Sequence, residues 1–344
     1  MTWNLREMCS LSIMNFWLFL GSVAVYILAA ASTGILDSKL DEDWKNWKSQ
    51  HGNQYTKDEE SYRRMIWEDN MRYIEHHNIE HSLGKRTSKT NEEFNKLMNG
   101  HRRIEAVNMT EIEADETDES RASKESPIEL RIATVDWRRE GLVTPVKNQG
   151  QCSSSWAFSA TGSIEGQWAK RHGHLVSLSE QNLIDCQEPY IGCYGGTTLQ
   201  GFEQVIEFQG INSEETYPYT GKDGGFCRFQ RDKIAAKITD YKWVWGGEAA
   251  LEQAVREIGP MSVVINASLK SFQHYKGGVY YDENCNGYVT DEVLVVGFGI
   301  EDGMKYWLVK NSWGTDWGED GYIKIAKDRG NHCGIASIVR YPIV

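Results

Sequence analysis

The sequence predicts an α+β fold in which a helical region precedes a region of β-strands. Residues 155–171 carry apolar side chains at a spacing that suits a buried helix. Four later segments are apolar and separated by glycine-rich turns: 261–265, 293–298, 306–309 and 322–325. Helices followed by strands, without alternation, are typical of α+β proteins. The 344 residues, 40% of them hydrophobic, are ample for one or two packed cores.

Residues 1–31 predict a signal peptide. Arg6 gives a charged start, residues 11–30 are apolar, and the alanines at 29–31 offer a small-residue cleavage site. The apolar run approaches the ~20 residues of a membrane span. An uncleaved signal anchor, and with it a membrane association, is therefore the alternative.

Residues 32–104 predict a mainly helical domain, and residues 105–132 an acidic linker before a globular domain at 133–344. Six residues of the helical domain are spaced by three or four positions and share one helix face: Glu59, Arg63, Trp67, Asn70, Ile74 and Asn78. Periodicity alone supports no more than an amphipathic helix. The linker is acidic without an apolar period, so we expect it to be solvated, and Asn108 begins a glycosylation sequon.

Charge and cysteine content exclude several classes of function. The net charge is −12 and no basic run is interleaved with aromatic residues, so nucleic acid is not expected as a partner. Six of the seven cysteines follow residue 150, and an even set behind a targeting segment favours three disulfides formed in the secretory pathway. Free thiols in a cytosolic protein are the alternative, and spacing alone leaves about 15 pairings open. No CxxC pair is present, so a structural zinc site is not expected. The sequence predicts no metal site and no cofactor.

The segment Asn148-Gln-Gly-Gln-Cys-Ser-Ser-Ser-Trp-Ala-Phe158 resembles the nucleophile segment of papain-like cysteine peptidases. Lys310-Asn-Ser-Trp-Gly314 and Val135-Asp-Trp137 also match that family, and the six-residue helical motif is similar to cathepsin L-type propeptides. The resemblance implies a papain-like two-lobed fold, a helical lobe facing a β-barrel lobe across a cleft, preceded by a helical propeptide. It also implies the disulfides Cys152–Cys193, Cys186–Cys227 and Cys285–Cys333.

The propeptide-like region departs from the family pattern. The family carries a short Asn-x-Phe-x-Asp segment after the motif helix, which packs on the mature domain and leads into the cleft. Here residues 83–89 run directly into Thr90-Asn-Glu-Glu-Phe94, and the segment is absent. Its lack weakens the expectation that this propeptide inhibits the mature domain, although an error in the gene model would give the same sequence.

The reactive positions also depart from the family. The resemblance implies that Gln149 helps to form the oxyanion hole and that Asn311 orients a catalytic histidine. The nucleophile position holds Ser155 instead of cysteine, and the histidine position holds Asp291. Asp291 and Asn311 follow Ser155 at separations that fit the family, so the alignment is sound. Ser153 replaces a glycine beside the oxyanion hole.

A substrate groove is implied by the same resemblance. Its residues, by alignment, are Gly195, Gly196, Thr197, Thr198, Ala267, Glu292 and Trp313. The glycine pair matches the strip that hydrogen-bonds an extended peptide, and the two threonines replace larger apolar residues of the main specificity pocket. Asp291 and Glu292 predict a preference for basic ligands, unless they form only a solvated acidic rim. Asn266 begins a second sequon near this pocket.

These observations predict a catalytically impaired, cathepsin L-like pseudoprotease. A hydroxyl needs a general base, and a carboxylate of pKa near 3.9 is a weaker base than histidine at about 6.5. The expected partners are its own propeptide and a peptide, inhibitor or protein in the cleft of a monomer, in an extracellular or endolysosomal location. The alternatives are a hydrolase with residual or altered, serine-based activity and an active cysteine peptidase whose sequence is faulty or engineered.

Overall fold

The computed structural model describes residues 36–77, 82–83, 87–99, 134–187, 192–223, 225–286 and 288–344. The predicted signal peptide, the linker and two single positions of the predictions, Asn78 and Asn108, lie outside the described residues. The chain divides into two compact units, residues 1–69 and 70–344. Within the described ranges, no helix has the length and apolar character needed to cross a membrane.

The first unit is built on tryptophan packing. It contains a 3₁₀ turn at Ser38–Leu40, helix α1 (Asp41–His51) and the beginning of helix α2 (Lys57–His77). The ring of Trp44 lies 5.3 Å from that of Trp47 and 5.5 Å from that of Trp67. The Trp44 indole N–H donates to Glu60 at 2.6 Å, so this polar atom of the core has its hydrogen-bond partner. The helix predicted from the spacing of residues 59–78 is confirmed over Lys57–His77.

The second unit contains the end of α2 and two short elements, β1 (Ser82–Leu83) and α3 (Asn91–Met98), followed by β2 (Val135–Asp136). Its helical lobe contains α4 (Ser155–His172), α5 (Glu180–Cys186) and α6 (Thr198–Glu207), with the small hairpin β3 (Ile211–Asn212) and β4 (Ile234–Ala236) and a 3₁₀ turn at Arg231–Lys233. Trp156, Ile164 and Phe202 form part of the core of this lobe. Helix α4 is buried over most of its length, as the apolar spacing predicts.

An eight-stranded sheet forms the other lobe. Seven strands lie in the order β5-β12-β6-β9-β10-β11-β8, and β2 pairs with β9. The strands are β5 (Asp240–Trp243), β6 (Met261–Ile265), β8 (Val279–Tyr280), β9 (Asp291–Glu301), β10 (Met304–Lys310), β11 (Tyr322–Ala326) and β12 (Val339–Ile343). The pairs are antiparallel except for β11 with β8. All four predicted strand segments are therefore confirmed, and so is the α+β order.

Smaller elements complete the second lobe: α7 (Gly247–Glu257), α8 (Lys270–Gln273), β7 (Tyr275–Gly277) and a 3₁₀ turn at His332–Gly334. Strand β1 pairs with β7, through Ser82 with Gly277 and Leu83 with Tyr275. The chain just after the motif helix thus adds a short strand to the second lobe although the Asn-x-Phe-x-Asp segment is missing.

Helix α4 lies against strand β9, and this contact sets the position of the site. The Ser159 hydroxyl donates to the carbonyl of Val293 at 2.8 Å. A Cβ on Gly162 would meet Leu294 at 2.9 Å, so the glycine permits the close approach of helix and strand. Because β9 starts at Asp291 and α4 at Ser155, their first residues come together at one edge of the packed interface.

Candidate active site

Ser155 is the first residue of α4 and is fully buried. The Cys152–Cys193 disulfide holds the loop that precedes it. Ser154, the residue before the helix, bonds through its hydroxyl with that of Tyr219 at 2.9 Å, and Tyr219 donates in turn to the Gln149 carbonyl at 2.8 Å. The serine therefore lies at the positive end of a buried helix, and the loop that leads into this helix is held at two points.

The other lobe supplies the start of β9 to the same place. Asp291 pairs with Ile265 in the ladder of β9 with β6, and it is fully buried. The backbone N–H of the next residue, Glu292, donates to the Ser155 hydroxyl oxygen at 3.5 Å. The residue that follows the aligned base position thus lies beside the aligned nucleophile position, although 137 residues of sequence separate Glu292 from Ser155.

Asn311 follows β10 and is 3% exposed. Its side-chain oxygen accepts the N–H of Ser312 at 2.7 Å, and its backbone N–H donates to the Gly321 carbonyl at 3.1 Å. Its Nδ2 has no acceptor among the described residues. The side-chain amide of Asn311, which aligns with the histidine-orienting group of the family, therefore bonds to the backbone of the next residue.

Gln149 has its side-chain amide fully engaged. The oxygen accepts from the Ser312 hydroxyl at 2.6 Å, while the nitrogen donates to the Cys152 carbonyl at 2.9 Å and to the Met98 carbonyl at 2.8 Å. Met98 is the last residue of α3. The group that would bind an oxyanion therefore holds a backbone carbonyl from the N-terminal segment instead.

Helix α3 makes several further contacts with the residues around Ser155. The Ser153 hydroxyl donates to the carbonyls of Lys96 and Leu97, both at 3.2 Å. Phe94 is 7% exposed and meets Trp313 edge-on with ring centroids 5.0 Å apart. The serine at position 153 thus adds hydrogen bonds that the glycine of the family pattern could not form.

The residues aligned with the substrate groove are all buried: Gly195, Gly196, Thr197, Thr198, Ala267, Glu292 and Trp313. Helix α3 covers part of this surface, since Asn95 donates to the Ser268 carbonyl at 2.8 Å and Asn91 to the Gln273 side chain at 2.9 Å. Thr197 caps α6, and its hydroxyl accepts from the N–H of Gln200 at 3.3 Å.

Glu292 is turned inward and offers no acidic rim. Its carboxylate accepts the backbone N–H of Thr198 at 2.8 Å and also bonds to the Thr198 hydroxyl. The Arg340 guanidinium lies 3.9 Å from the same oxygen. The expectation that Glu292 attracts basic ligands is wrong at this position, because its charge is buried and opposed by an arginine.

Asn266 is 5% exposed, and its side chain is used within the fold. Its oxygen accepts from the backbone and hydroxyl of Ser268 at 3.0 and 2.7 Å, and its nitrogen donates to the Asn286 carbonyl at 3.2 Å. A glycan on this nitrogen would displace that bond and need space in a buried region. The geometry therefore disfavours the second predicted glycosylation site.

A buried charge network lies behind the site. Lys147 bonds to Glu180 at 2.6 Å and to Glu165 at 3.3 Å, and Lys310 donates to Thr144 at 3.0 Å. Burial lowers the pKa of Lys310, whereas the two carboxylates outweigh burial at Lys147 and raise its pKa. A cavity of about 20 Å³ adjoins this network, with room for about one water molecule.

A cluster with metal-ligand chemistry is formed by Cys285, His332 and Cys333. Both sulfurs belong to one disulfide, so they are not available as thiolates. The three disulfides of the structure are Cys152–Cys193, Cys186–Cys227 and Cys285–Cys333, as the resemblance implies.

Two participants were not expected from the sequence: Met98 and Arg340. Met98 contributes only its backbone, which no sequence pattern marks. Arg340 is the one charged residue in the otherwise apolar or aromatic segment 338–343, and this isolated charge is a sequence signal for a buried ion pair.

Comparisons with known proteins agree with this arrangement. Residues 132–343 match the papain family cysteine protease domain, and residues 44–100 match the cathepsin propeptide inhibitor domain I29. Cathepsin J of Mus musculus is 47% identical over 89% of this chain and 93% of its own length. Procathepsin L of Rattus norvegicus is 46% identical over 94% of this chain and 98% of its own length. The solved structure of digestive procathepsin L 3 from Tenebrio molitor larval midgut superposes with a TM-score of 0.76, at 38% identity, over 90% of this chain and all of that one.

The helical and sheet lobes, the three disulfides, the propeptide-type N-terminal domain and these similarities lead to one conclusion. The chain belongs to the papain family of cysteine proteases, and its relatives there are cathepsin L-like.

Proposed function

We propose that this protein is a catalytically impaired, cathepsin L-like pseudoprotease that binds a peptide, a protease inhibitor or a protein partner without cleaving it. The observation that carries the proposal is the pairing of Ser155 with the start of β9, where Asp291 stands at the position of the family's histidine. The group that would attack the substrate and the group that would take up and return the proton are therefore both changed.

The chemistry of the pair supports this proposal. The N-terminus of α4 stabilises a negative charge at Ser155, but a hydroxyl is far less acidic than a thiol, so a general base is still needed. An ordinary aspartate is a weaker base than histidine by roughly 3.5 kcal/mol. It also cannot protonate a leaving amine near neutral pH. Loss of the nucleophile or the base of a triad costs on the order of 10⁶ in turnover.

Gln149 and the glycine pair Gly195-Gly196 match the family pattern, which supports binding without cleavage. Gln149 already holds a peptide carbonyl, that of Met98, in the position where a ligand carbonyl would bind. A ligand must therefore compete with helix α3, which is part of the same chain and so has a high effective concentration. We expect ligand binding to be weak until the segment that carries α3 is released.

The protein would act as a monomer in the secretory pathway, delivered to the cell exterior or to endolysosomes. Three disulfides support an oxidising compartment. Asn108 remains a proposed glycosylation site, and residues 1–31 a proposed signal peptide or signal anchor.

A serine-based hydrolase with residual activity is the second candidate, and the intact Gln149 favours it. An oxyanion hole alone retains about 10³–10⁴ of acceleration over water after the triad is removed. A faulty or engineered sequence of an active peptidase would explain Ser155, but it leaves Asp291 and Ser153 unexplained.

The test uses the full chain, cut by a specific protease at a site placed within residues 105–132. We compare the unmodified protein with Ser155→Ala and with the double variant Ser155→Cys, Asp291→His on fluorogenic peptides. The proposal predicts no hydrolysis by the first two, and thiol-dependent hydrolysis by the double variant. Hydrolysis by the unmodified protein that disappears in Ser155→Ala would show the serine-based enzyme instead. Fluorescence anisotropy of labelled peptides measures binding separately.

A further inference from the structure

Glu292 connects the two lobes directly beside Ser155. Its backbone N–H donates to the Ser155 hydroxyl oxygen at 3.5 Å, while its carboxylate reaches Thr198 on the other lobe. The Thr198 hydroxyl oxygen also lies 3.5 Å from the carbonyl oxygen of Trp156, the residue after Ser155. The side chain of Glu292 thus joins the two lobes next to the candidate nucleophile.

The carboxylate is held by a set of directed bonds. Thr198 is the first residue of α6, where backbone N–H groups have no intrahelical acceptor and the helix end favours a negative charge. The Thr198 hydroxyl also bonds to Glu292, and it accepts from Ser262 at 2.9 Å. The hydroxyl oxygen of Ser159 on α4 lies 2.8 Å from that of Ser262. We call Thr198, Ser262, Glu292 and Arg340 the interlobe bridge.

Charge within the interlobe bridge is balanced. Arg340, on β12, places its guanidinium 3.9 Å from the Glu292 carboxylate and 4.4 Å from the ring of Trp243. Glu292 is 2% exposed and Arg340 is 4% exposed. Removing one partner of a buried ion pair is strongly destabilising, because the other charge is left uncompensated. The carboxylate is therefore held in a fixed position, and its charge is opposed inside the protein by Arg340.

We infer that Glu292, held by Thr198 and Arg340, closes the cleft floor beside Ser155 to ligand side chains, so that a bound peptide must present glycine or another small residue there. This inference rests on the proposed function, since it names the class of peptide that the site accepts. A larger side chain at this point would displace the carboxylate from Thr198 and leave Arg340 buried without its counterion. Steric exclusion, rather than attraction of basic residues, sets the selectivity.

Two paired substitutions separate volume from charge. Glu292→Gly with Arg340→Ser removes both charges and opens the floor. Glu292→Gln with Arg340→Gln also removes both charges but keeps most of the volume, so it is the matched control. All proteins are the full chain, cut within residues 105–132, and carry Phe94→Ala to weaken the cover by α3. Near-ultraviolet circular dichroism and thermal melting verify that each variant is folded.

The probes are fluorescein-labelled hexapeptides of glycine, alanine and serine in which a single leucine or phenylalanine is moved through all six positions. Anisotropy titration gives a dissociation constant for each peptide. With Glu292 and Arg340 in place, we expect a bulky residue at one position to weaken binding about tenfold or more relative to the small-residue host. The opened pair should abolish or reverse that difference, and the glutamine pair should keep it.

Equal binding of bulky and small peptides by the protein with the native bridge would overturn the inference. So would a glutamine pair that loses the preference together with the opened pair, because charge and not volume would then be responsible. If only the opened pair binds peptides, the closed floor is supported and the proposed binding function fails. If neither protein binds any peptide, both fail.

Discussion

Replacement of Phe94 by alanine is expected to loosen helix α3 from the cleft. Phe94 is 7% exposed, and its ring meets Trp313 edge-on at 5.0 Å. Burial of a phenylalanine side chain is worth about 1.5–3 kcal/mol, and an edge-to-face ring pair adds about 0.5–1.5 kcal/mol. The expected loss is therefore about 3 kcal/mol, or ~100-fold in the dissociation constant.

The assay measures release of the N-terminal fragment after the chain is cut within residues 105–132. Size-exclusion chromatography and biolayer interferometry give the fraction bound and the dissociation rate. Lys96→Ala is the matched control, because Lys96 lies on the same helix with an exposed side chain and contributes only its backbone to the contact with Ser153. The control should dissociate like the unmodified protein.

If Phe94→Ala changed the dissociation constant of the N-terminal fragment by less than about threefold, well short of the ~100-fold expected, the reasoning would be refuted. It would mean that the backbone bonds to Gln149 and Ser153 hold the segment without the aromatic contact. Faster release in Lys96→Ala to the same extent would show that helix stability, not the Trp313 contact, is the controlling quantity.

Three further outcomes are expected. Ser153→Gly removes two hydroxyl bonds of 3.2 Å and should speed release of the same fragment by about 2–10-fold, measured in the same assay. Burial lowers the pKa of His332, whose Nε2 accepts the N–H of Asp282 at 3.3 Å. The unfolded chain then binds the proton first, so stability should fall as pH drops below about 6.5, and denaturant melts at pH 7 and pH 5 should show a smaller difference in His332→Gln. Peptide mapping by mass spectrometry should find Asn266 without a glycan, and a glycan there would contradict the buried geometry.

Local patterns predicted the secondary structure of this chain well. The helical period was sufficient to predict α2 and α4, and the apolar segments were sufficient to predict β6, β9, β10 and β11. Each of these patterns depends on neighbouring residues only. The change from an acidic rim to a buried carboxylate was not predictable in this way. Whether the side chain of Glu292 faces solvent or the interior depends on Thr198 and Arg340, which are distant from it in sequence.

Sequence alone determined which atoms stand at the reactive positions, since Ser155 and Asp291 are chemical identities that folding does not alter. Only the tertiary structure decided what those atoms face. Met98 reaches Gln149 across 51 residues and Thr198 reaches Glu292 across 94, and no local pattern specifies either contact. Such contacts exist because packing of the two lobes buries polar groups, and a buried polar group must find its partner wherever the fold places one.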